Sequence, residues 1–248
     1  MGKVESAHIL VTGASQGIGK AIVSRLASQH SVLGVSRSKP EFLEAAPSPS
    51  SNRFTWSSLD LANASAVEQF VTSLEPVAVR ALILCAIDYG DGGRHPASAI
   101  SVSEWQRMIA TNLIGHCVLV SRLLPQLVGN APGIIINLSS DVAVAPAAGR
   151  AAYAASKAGL HAMLRAVEAE HPVEELRVYQ LIPTFQSLTS GIRRRRPAGF
   201  DFSSYADPAL IAEVADRIIS ASRPFAPSGT YLVRRDGTLD RFHEVAGI

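Results

Sequence analysis

Three side chains in one stretch of the sequence could carry out proton-transfer chemistry. Tyr153 and Lys157 are four residues apart, and Ser140 lies thirteen residues before Tyr153. On a helix, this spacing places the Tyr and Lys side chains on one face, with about 6 Å of rise between them. A neighbouring ammonium lowers the pKa of a phenol, which suits a general acid or base at a carbonyl or alcohol oxygen. Ser140 could hydrogen-bond the same oxygen.

The surrounding sequence predicts the elements that would position these groups. Ile134 to Leu138 is an apolar run typical of a buried strand, and Ser140 follows at its carboxyl end. A loop interrupted by Pro and Gly leads from there into an Ala-rich helix that carries Tyr153 and Lys157. A Tyr and a Lys at this spacing are more often two solvated helix residues. The chemical interpretation therefore depends on a second site elsewhere in the chain.

A glycine-rich turn near the amino terminus predicts that second site. Ala7 to Val11 is a short apolar run, Thr12 to Gly19 contains the spacing Gly-x3-Gly-x-Gly, and Lys20 to Gln29 is amphipathic. This order indicates a strand, a turn and a helix. Small residues in the turn let the backbone approach a pyrophosphate, and the helix amino terminus offers free N–H groups to it. The sequence therefore predicts a dinucleotide-binding turn.

Together these motifs resemble the short-chain dehydrogenase/reductase family. Tyr153-Ala-Ala-Ser-Lys157 matches its YxxxK motif, Thr12 to Gly19 matches TGxxxGxG, and Asn112 matches its helix asparagine. The resemblance runs from about Ile9 to Val233. The carboxyl-terminal sequence is loosely similar to that of sepiapterin- and benzil-reductase-like members of the family.

This resemblance implies hydride transfer between a nicotinamide and a carbonyl carbon. Tyr153 would be the general acid or base, and Lys157 would lower its pKa and bind the nicotinamide ribose. Ser140 would orient the carbonyl, and Asn112 would hold a water that connects the lysine to solvent. The residues implied to contact the cofactor are Gly13, Ser15, Gln16, Gly17, Ile18, Gly19, Arg37, Asp60, Leu61, Ala86, Tyr153, Lys157 and Pro183.

The end of the second predicted strand favours NADP(H) over NAD(H). Ser31 to Val35 is followed by Ser36-Arg37-Ser38, without the acidic residue that would bind a free ribose diol. Arg37 stands where relatives hold the 2′-phosphate, although an ordinary solvated arginine remains the alternative. The basic residue that relatives often place just before the middle glycine is replaced here by Gln16.

The chain departs from the family pattern at two strand ends. Leu84-Cys85-Ala86-Ile87 replaces the usual Asn-Asn-Ala-Gly, and Pro183-Thr184 replaces Pro-Gly. These changes are the support for two alternatives: a protein that binds NADP(H) without turnover, and a related fold that catalyses a non-redox reaction. Nicotinamide absorbance during turnover would separate them from a carbonyl reductase.

The segment expected to fold over the substrate contains four consecutive arginines, Arg193 to Arg196. They could hold an anionic substrate or extend the phosphate site, but a solvated surface run is the favoured interpretation. The predicted pocket is mainly apolar. Its expected lining residues are Ala143, Val144, Pro146, Phe185 and Leu188, with Tyr89 and His95 nearby.

Length and composition predict one globular domain over residues 1–248. Hydrophobic residues make up 47% of the chain, charged residues 18%, and the net charge is +2. Strands alternate with helices, which predicts a Rossmann-type doubly wound parallel α/β sheet of about seven strands with helices on both faces. No metal site and no nucleic-acid partner are expected.

Other sequence features bear on location and assembly. Cys85 and Cys117 lie in apolar runs, as expected for reduced cysteines of a cytoplasmic protein. No uninterrupted apolar run reaches the roughly eighteen residues of a membrane span, and no membrane partner is expected. A myristoylation pattern at residues 1–6 leaves little free arm before the first strand and is given little weight. By resemblance, we expect a homodimer or homotetramer formed through the helices around Val118 and Leu160, acting on a small carbonyl or alcohol substrate.

Overall fold

The computed structural model describes residues 8–40, 53–75, 77–91, 94–222 and 224–243. The amino-terminal myristoylation pattern lies outside these residues. The strands are β1 His8–Thr12, β2 Val32–Ser36, β3 Phe54–Ser58, β4 Val79–Leu84, β5 Gly133–Leu138, β6 Leu176–Pro183, β7 Gly229–Val233 and β8 Leu239–Arg241. The α-helices are α1 Gly17–Leu26, α2 Ala64–Ser73, α3 Val102–Ile109, α4 Gly115–Gly129, α5 Ala151–Glu170, α6 Ser190–Arg194 and α7 Ala209–Ser220.

The strands form one sheet in the order β3-β2-β1-β4-β5-β6-β7-β8. The first seven strands pair in parallel, as predicted, and β8 pairs antiparallel with β7. The expected count of about seven strands is therefore one too low. A tight turn at Asp236-Gly237 returns the chain into β8, with the Arg234 N–H donating to the Thr238 carbonyl at 3.0 Å. An Asp-Gly pair is a hairpin signal that the sequence analysis did not use.

Alternating strand residues pack on the two faces of the sheet. In β1, Ile9 and Val11 face a core shared with α1 and α7, whereas Leu10 faces a core shared with α2, α4 and α5. Side chains of a strand point to opposite faces with a period of two, so a sheet covered on both sides has near-continuous apolar strands. The prediction of helices on both faces is confirmed.

The strand order reverses between β1 and β4. On one side of this point the chain steps from β1 to β2 and β3, and on the other from β4 to β5 and β6. In doubly wound sheets, ligands bind outside the carboxyl ends of the strands at such a switch point. The glycine turn follows β1 at this position.

The helix that carries Asn112 is not a uniform α-helix. A π turn, Ala110–Ile114, joins α3 to α4. Single π turns often mark functional sites.

By length and composition, the helical stretch Val102–Gly129 is apolar enough to cross a membrane, although no uninterrupted apolar run in the sequence indicated this. In its most apolar window, 44% is buried inside the protein. Its Leu119 and Leu123 are fully buried in the core beside α2 and α5.

Candidate active site

A cavity of about 550 Å³ lies at the carboxyl ends of the parallel strands. We call it the first cavity. All thirteen residues expected to contact the cofactor line it: Gly13, Ser15, Gln16, Gly17, Ile18, Gly19, Arg37, Asp60, Leu61, Ala86, Tyr153, Lys157 and Pro183. Asn112 and Ser140 are not among its lining residues. The roles of these residues stay predictions, but the fold brings the set together.

The glycine turn approaches the end of β4 very closely. Gly13 has φ +70°, and a Cβ atom built on it would lie 2.8 Å from the Ala86 Cα. The Thr12 hydroxyl accepts hydrogen bonds from the Cys85 and Ala86 N–H groups at 3.0 and 3.1 Å. The altered strand end from Leu84 to Ile87 is therefore held by backbone groups that any residue type provides. The substitution of Leu84-Cys85-Ala86-Ile87 for the usual Asn-Asn-Ala-Gly therefore leaves the contacts of the glycine turn in place.

The end of β2 presents Arg37 to the first cavity. The Trp56 indole donates to the Ser36 hydroxyl at 2.8 Å, and that hydroxyl donates to the Ser38 carbonyl at 2.9 Å. These bonds fix the turn on both sides of Arg37, whose own side chain is exposed. Asp60 lines the same cavity at the end of β3, and its carboxylate accepts from the Ala62 N–H at 3.0 Å.

Tyr153 and Lys157 are buried at the other end of the first cavity, 7% and 3% exposed. The Lys157 ammonium donates to the Leu138 carbonyl at 2.7 Å, and burial lowers its pKa to about 8. Burial also raises the pKa of Tyr153, and the nearby Tyr89 phenol raises it further. A hydrogen bond with Ser140 acts in the opposite direction. The predicted lowering of the Tyr153 pKa by Lys157 is not found, because desolvation sets the direction of the shift and Lys157 is not among its causes.

Ser140 and Asn112 support this centre from two sides. The Ser140 hydroxyl donates to the Asp141 carboxylate at 2.7 Å. The Asn112 side chain accepts from the Asp88 N–H at 2.7 Å and donates to the Ser156 hydroxyl at 3.1 Å. Asn112 thus ties the loop after β4 to α5, close to Tyr153. The water relay expected of it stays a prediction.

A buried histidine that the sequence analysis passed over lies beneath the site. His116 is 1% exposed, with one ring nitrogen 3.2 Å from the Asn112 carbonyl and the other 3.3 Å from the Thr12 hydroxyl. Burial and the charge of Lys157 lower its pKa to about 4, so the ring is neutral near neutral pH. His116 follows Asn112 by four residues, which is the one sequence signal that could have located it.

A second cavity of about 360 Å³ adjoins the first and shares Tyr89, Tyr153 and Arg195 with it. The Tyr89 and Tyr153 rings are 5.4 Å apart, centroid to centroid. The expected apolar residues Ala143, Val144, Pro146, Phe185 and Leu188 line neither cavity. Of the expected set, only Tyr89 and His95 line the second cavity. The prediction of a mainly apolar pocket is therefore wrong for this cavity, because arginines and Glu104 line it together with the apolar Ile100, Met108 and Ile192.

The first cavity has the features that a dinucleotide requires. Its glycine turn leaves no room for a side chain beside Ala86, and α1 begins at Gly17 with its free N–H groups at the cavity. Arg37 provides a planar set of donors at one end, while Tyr153 and Lys157 provide titratable groups at the other. Fold and first cavity together are those of a nucleotide-binding α/β protein, with two buried titratable side chains at the cavity.

Comparisons with known proteins agree with this class. The family model described as short chain dehydrogenase matches residues 7–197, so the chain belongs to that family. The benzil reductase IRC24 of Saccharomyces cerevisiae is 27% identical over 96% of this chain and 98% of its own. The NADP-dependent 3-hydroxy acid dehydrogenase YdfG of Salmonella typhi is 34% identical over 60% of each chain.

Solved structures show the same fold. A metagenomic short-chain oxidoreductase in complex with NADP has a TM-score of 0.74 and 26% identity, covering 92% of this chain and 96% of its own. An alcohol dehydrogenase from the archaeon Thermococcus sibiricus, complexed with 5-hydroxy-NADP, has a TM-score of 0.79 at 22% identity, covering 96% and 100%. The predicted family and fold class are confirmed.

Proposed function

We propose that this chain is an NADP(H)-dependent oxidoreductase that interconverts a carbonyl and an alcohol. One observation carries the proposal: the buried side chains of Tyr153 and Lys157 line the same cavity as the glycine turn. A site that only bound a nucleotide would need the turn but not a desolvated phenol and ammonium next to it. The proposal keeps the roles that the resemblance implies for Ser140 and Asn112.

When bound, the nicotinamide supplies a hydride to the carbonyl carbon. Tyr153 gives its phenolic proton to the oxygen, while Ser140 hydrogen-bonds that oxygen and orients it. Burial that raises the Tyr153 pKa keeps the phenol protonated, which is the form that reduction needs. The Lys157 ammonium would stabilise the phenolate left behind and donate to the nicotinamide ribose. Asn112 would hold the water through which the proton is restored.

The choice of NADP(H) rests on Arg37 at the end of β2. A guanidinium offers two parallel donors to a phosphate, and such charge-assisted contacts are among the stronger hydrogen bonds. The names of two relatives, a 3-hydroxy acid dehydrogenase and a metagenomic oxidoreductase, carry NADP and support the same choice. The names of the relatives indicate different substrates, since another relative is a benzil reductase. The substrate of this chain therefore cannot be taken from these names.

Assembly and location complete the proposal. We place the protein in the cytoplasm, in agreement with two free cysteines, and expect a homodimer or homotetramer. Ile114, which is 45% exposed at the end of the π turn, and the half-buried Val118 give the middle helix an apolar outer surface. Leu160 is fully buried within the chain, so its neighbours on α5 would make the contact. Sedimentation at micromolar concentration would detect a strict monomer, which would contradict this assembly.

The function is tested by a panel of carbonyl compounds with the purified protein and NADPH, with NADH in parallel. We expect nicotinamide absorbance to fall only when a carbonyl substrate is present, and faster with NADPH. Tight NADPH binding without oxidation across the panel would favour a binding protein instead. Conversion of a substrate at constant nicotinamide absorbance would indicate a non-redox reaction.

A further inference from the structure

The second cavity lies where a substrate must lie if Tyr153 is the proton donor. It borders the first cavity along Tyr89, Tyr153 and Arg195. A molecule in it therefore contacts the phenol from the side away from the glycine turn. The charge of its walls then limits which molecules it can accept.

Four arginines line this cavity: Arg94, Arg150, Arg195 and Arg196. The one carboxylate in its lining is Glu104, which is 8% exposed and accepts a hydrogen bond from the Asp91 N–H at 3.0 Å. One carboxylate against four guanidinium groups leaves a strong excess of positive charge. Like charges that line one cavity repel one another, and an anion among them would relieve that repulsion.

Three of the four arginines contact aromatic side chains. The Arg195 guanidinium lies 4.1 Å from the centroid of the Tyr89 ring, and that of Arg150 lies 5.8 Å from the Tyr153 ring. Arg196 donates to the Tyr205 hydroxyl at 3.1 Å. None of the four forms an ion pair with a carboxylate in the part of the chain that the structure describes. Contact with a ring face leaves the in-plane N–H donors available to a ligand.

Three segments distant in sequence are needed to assemble this cluster. The His95 N–H donates to the Gly149 carbonyl at 3.1 Å, which brings Arg94 beside Arg150. Arg195 and Arg196 reach the same cavity from the segment after α6. A solvated run of arginines would not require such contacts between loops.

The four consecutive arginines Arg193 to Arg196 make different contacts and line different cavities. Arg193 lies over the Phe202 ring at 5.2 Å and lines neither cavity. Arg194 donates to the Gln16 side chain at 2.6 Å and lines only the first cavity. Arg195 lines both cavities, and Arg196 lines only the second. All four side chains are exposed, as expected for a solvated surface run, but three of them also line a cavity.

We propose that the substrate carries an anionic group, a carboxylate in the simplest case, bound by the arginines of the second cavity. This inference rests on the proposed carbonyl reduction. The carbonyl lies at Tyr153, and the carboxylate points away from the glycine turn toward Arg150, Arg195 and Arg196. In the reaction, the C=O π bond breaks as a C–H bond forms with the hydride and an O–H bond forms with the Tyr153 proton. NADPH is oxidised to NADP⁺ and the oxo acid is reduced to a hydroxy acid.

The test uses matched pairs that differ only in charge: 3-oxobutanoate with its methyl ester, and 4-oxopentanoate with its methyl ester. With saturating NADPH we expect kcat/KM to be about tenfold or more higher for an acid than for its ester, from charge-assisted hydrogen bonds. The difference should appear mainly in KM and should shrink as ionic strength rises.

Variants locate the effect. Arg196→Gln and Arg94→Gln should each lower kcat/KM for the acid by about tenfold while changing that for the ester less than about threefold. Arg193→Gln is the matched control within the same run and should behave as wild type. The recorded ring contacts of Tyr153 are with Arg150 and Tyr89, so the Arg196 and Arg94 variants keep the recorded contacts of the proton donor.

Each outcome has a separate meaning. Equal kcat/KM for acid and ester, or equal losses for both in Arg196→Gln, would overturn the anionic substrate while leaving carbonyl reduction standing. A loss in Arg193→Gln as large as in Arg196→Gln would also overturn it, because a general surface potential would then explain the preference. Failure to oxidise NADPH with any acid or ester, with NADPH binding verified, would overturn the proposed function and this inference together.

Discussion

The first cavity is organised around the backbone of a glycine turn, and the second around charged side chains. In the first, the turn around Gly13, the amino terminus of α1 and the strand ends provide close approach and N–H groups. In the second, Arg94, Arg150 and Arg196 provide the chemistry from three separate segments. Tyr153 belongs to both cavities.

This difference suggests that the two cavities are constrained differently: the first by the shape of a nucleotide, and the second by the charge of a substrate. The backbone of the glycine turn can approach any pyrophosphate of the right shape, whereas the four guanidinium groups favour a ligand of the right charge. Variation in loops would therefore change the substrate and leave the cofactor site unchanged, since function is carried by sites placed on a shared fold. Substitutions confined to one cavity provide a direct test.

The largest effect is expected at Tyr153, which both cavities share. Tyr153→Phe removes the general acid and should lower kcat by roughly 10²–10⁴-fold, with NADPH affinity within a few-fold of wild type. Tyr231→Phe is the matched control, because its hydroxyl donates to the Pro227 carbonyl at 2.7 Å, away from both cavities. Near-normal kcat in Tyr153→Phe with a verified substrate would reject the assigned role.

A second effect should appear in stability, beneath the first cavity. The pKa of His116 is about 4 in the folded protein, below its ordinary value of 6.5, so the unfolded chain binds the proton first as pH falls. The free energy of unfolding should therefore decrease as pH falls from about 6.5 to about 4, by roughly 3 kcal/mol from this group. His116→Gln should remove that part of the pH dependence, measured by urea unfolding across this range.

The exposed His243 provides the control for this measurement. His243→Gln should follow the wild-type dependence on pH. If His116→Gln also followed it, the burial of a neutral ring beneath the site would not be a source of acid sensitivity.

The smallest effect is expected at Arg37, which lines only the first cavity. Arg37→Asp should weaken NADPH binding roughly ten- to hundredfold and change NADH binding little, because the 2′-phosphate loses its donors. KM for the carbonyl substrate at saturating cofactor should not change. Isothermal titration with both cofactors measures the preference, and Lys39→Asp controls for a general change of charge at this edge. Equal wild-type kcat/KM for NADPH and NADH would remove the basis for this role of Arg37.

The sequence predicted the first cavity well because its signals are local. The spacing of Gly13, Gly17 and Gly19 and the interval from Tyr153 to Lys157 are consequences of a turn and of a helical period. The strand alternation likewise predicted the doubly wound sheet. The missed β8 has three residues and depends on a turn whose Asp-Gly signal was not used.

The second cavity left no comparable signal. Contacts such as that from the His95 N–H to the Gly149 carbonyl join loops with no fixed spacing, so no local pattern groups Arg94 with Arg150. The pKa of Tyr153 shows the same limit. Spacing predicted the nearby ammonium of Lys157, but the extent of burial, which decides the direction of the shift, depends on the whole fold.

The segment over the glycine turn has a consequence for the order of events in a catalytic cycle. The Gln16 side chain accepts hydrogen bonds from Arg194 at 2.6 Å and from Ser190 at 3.3 Å, and Thr189 lies against Gly17. If the first cavity holds the nucleotide of the proposed function, these contacts cross its glycine turn, so we expect release of the oxidised cofactor to require their breakage and to be slow and last. Ordered kinetics with cofactor binding first would follow, and Gln16→Ala should shorten the residence time of the cofactor in stopped-flow measurements.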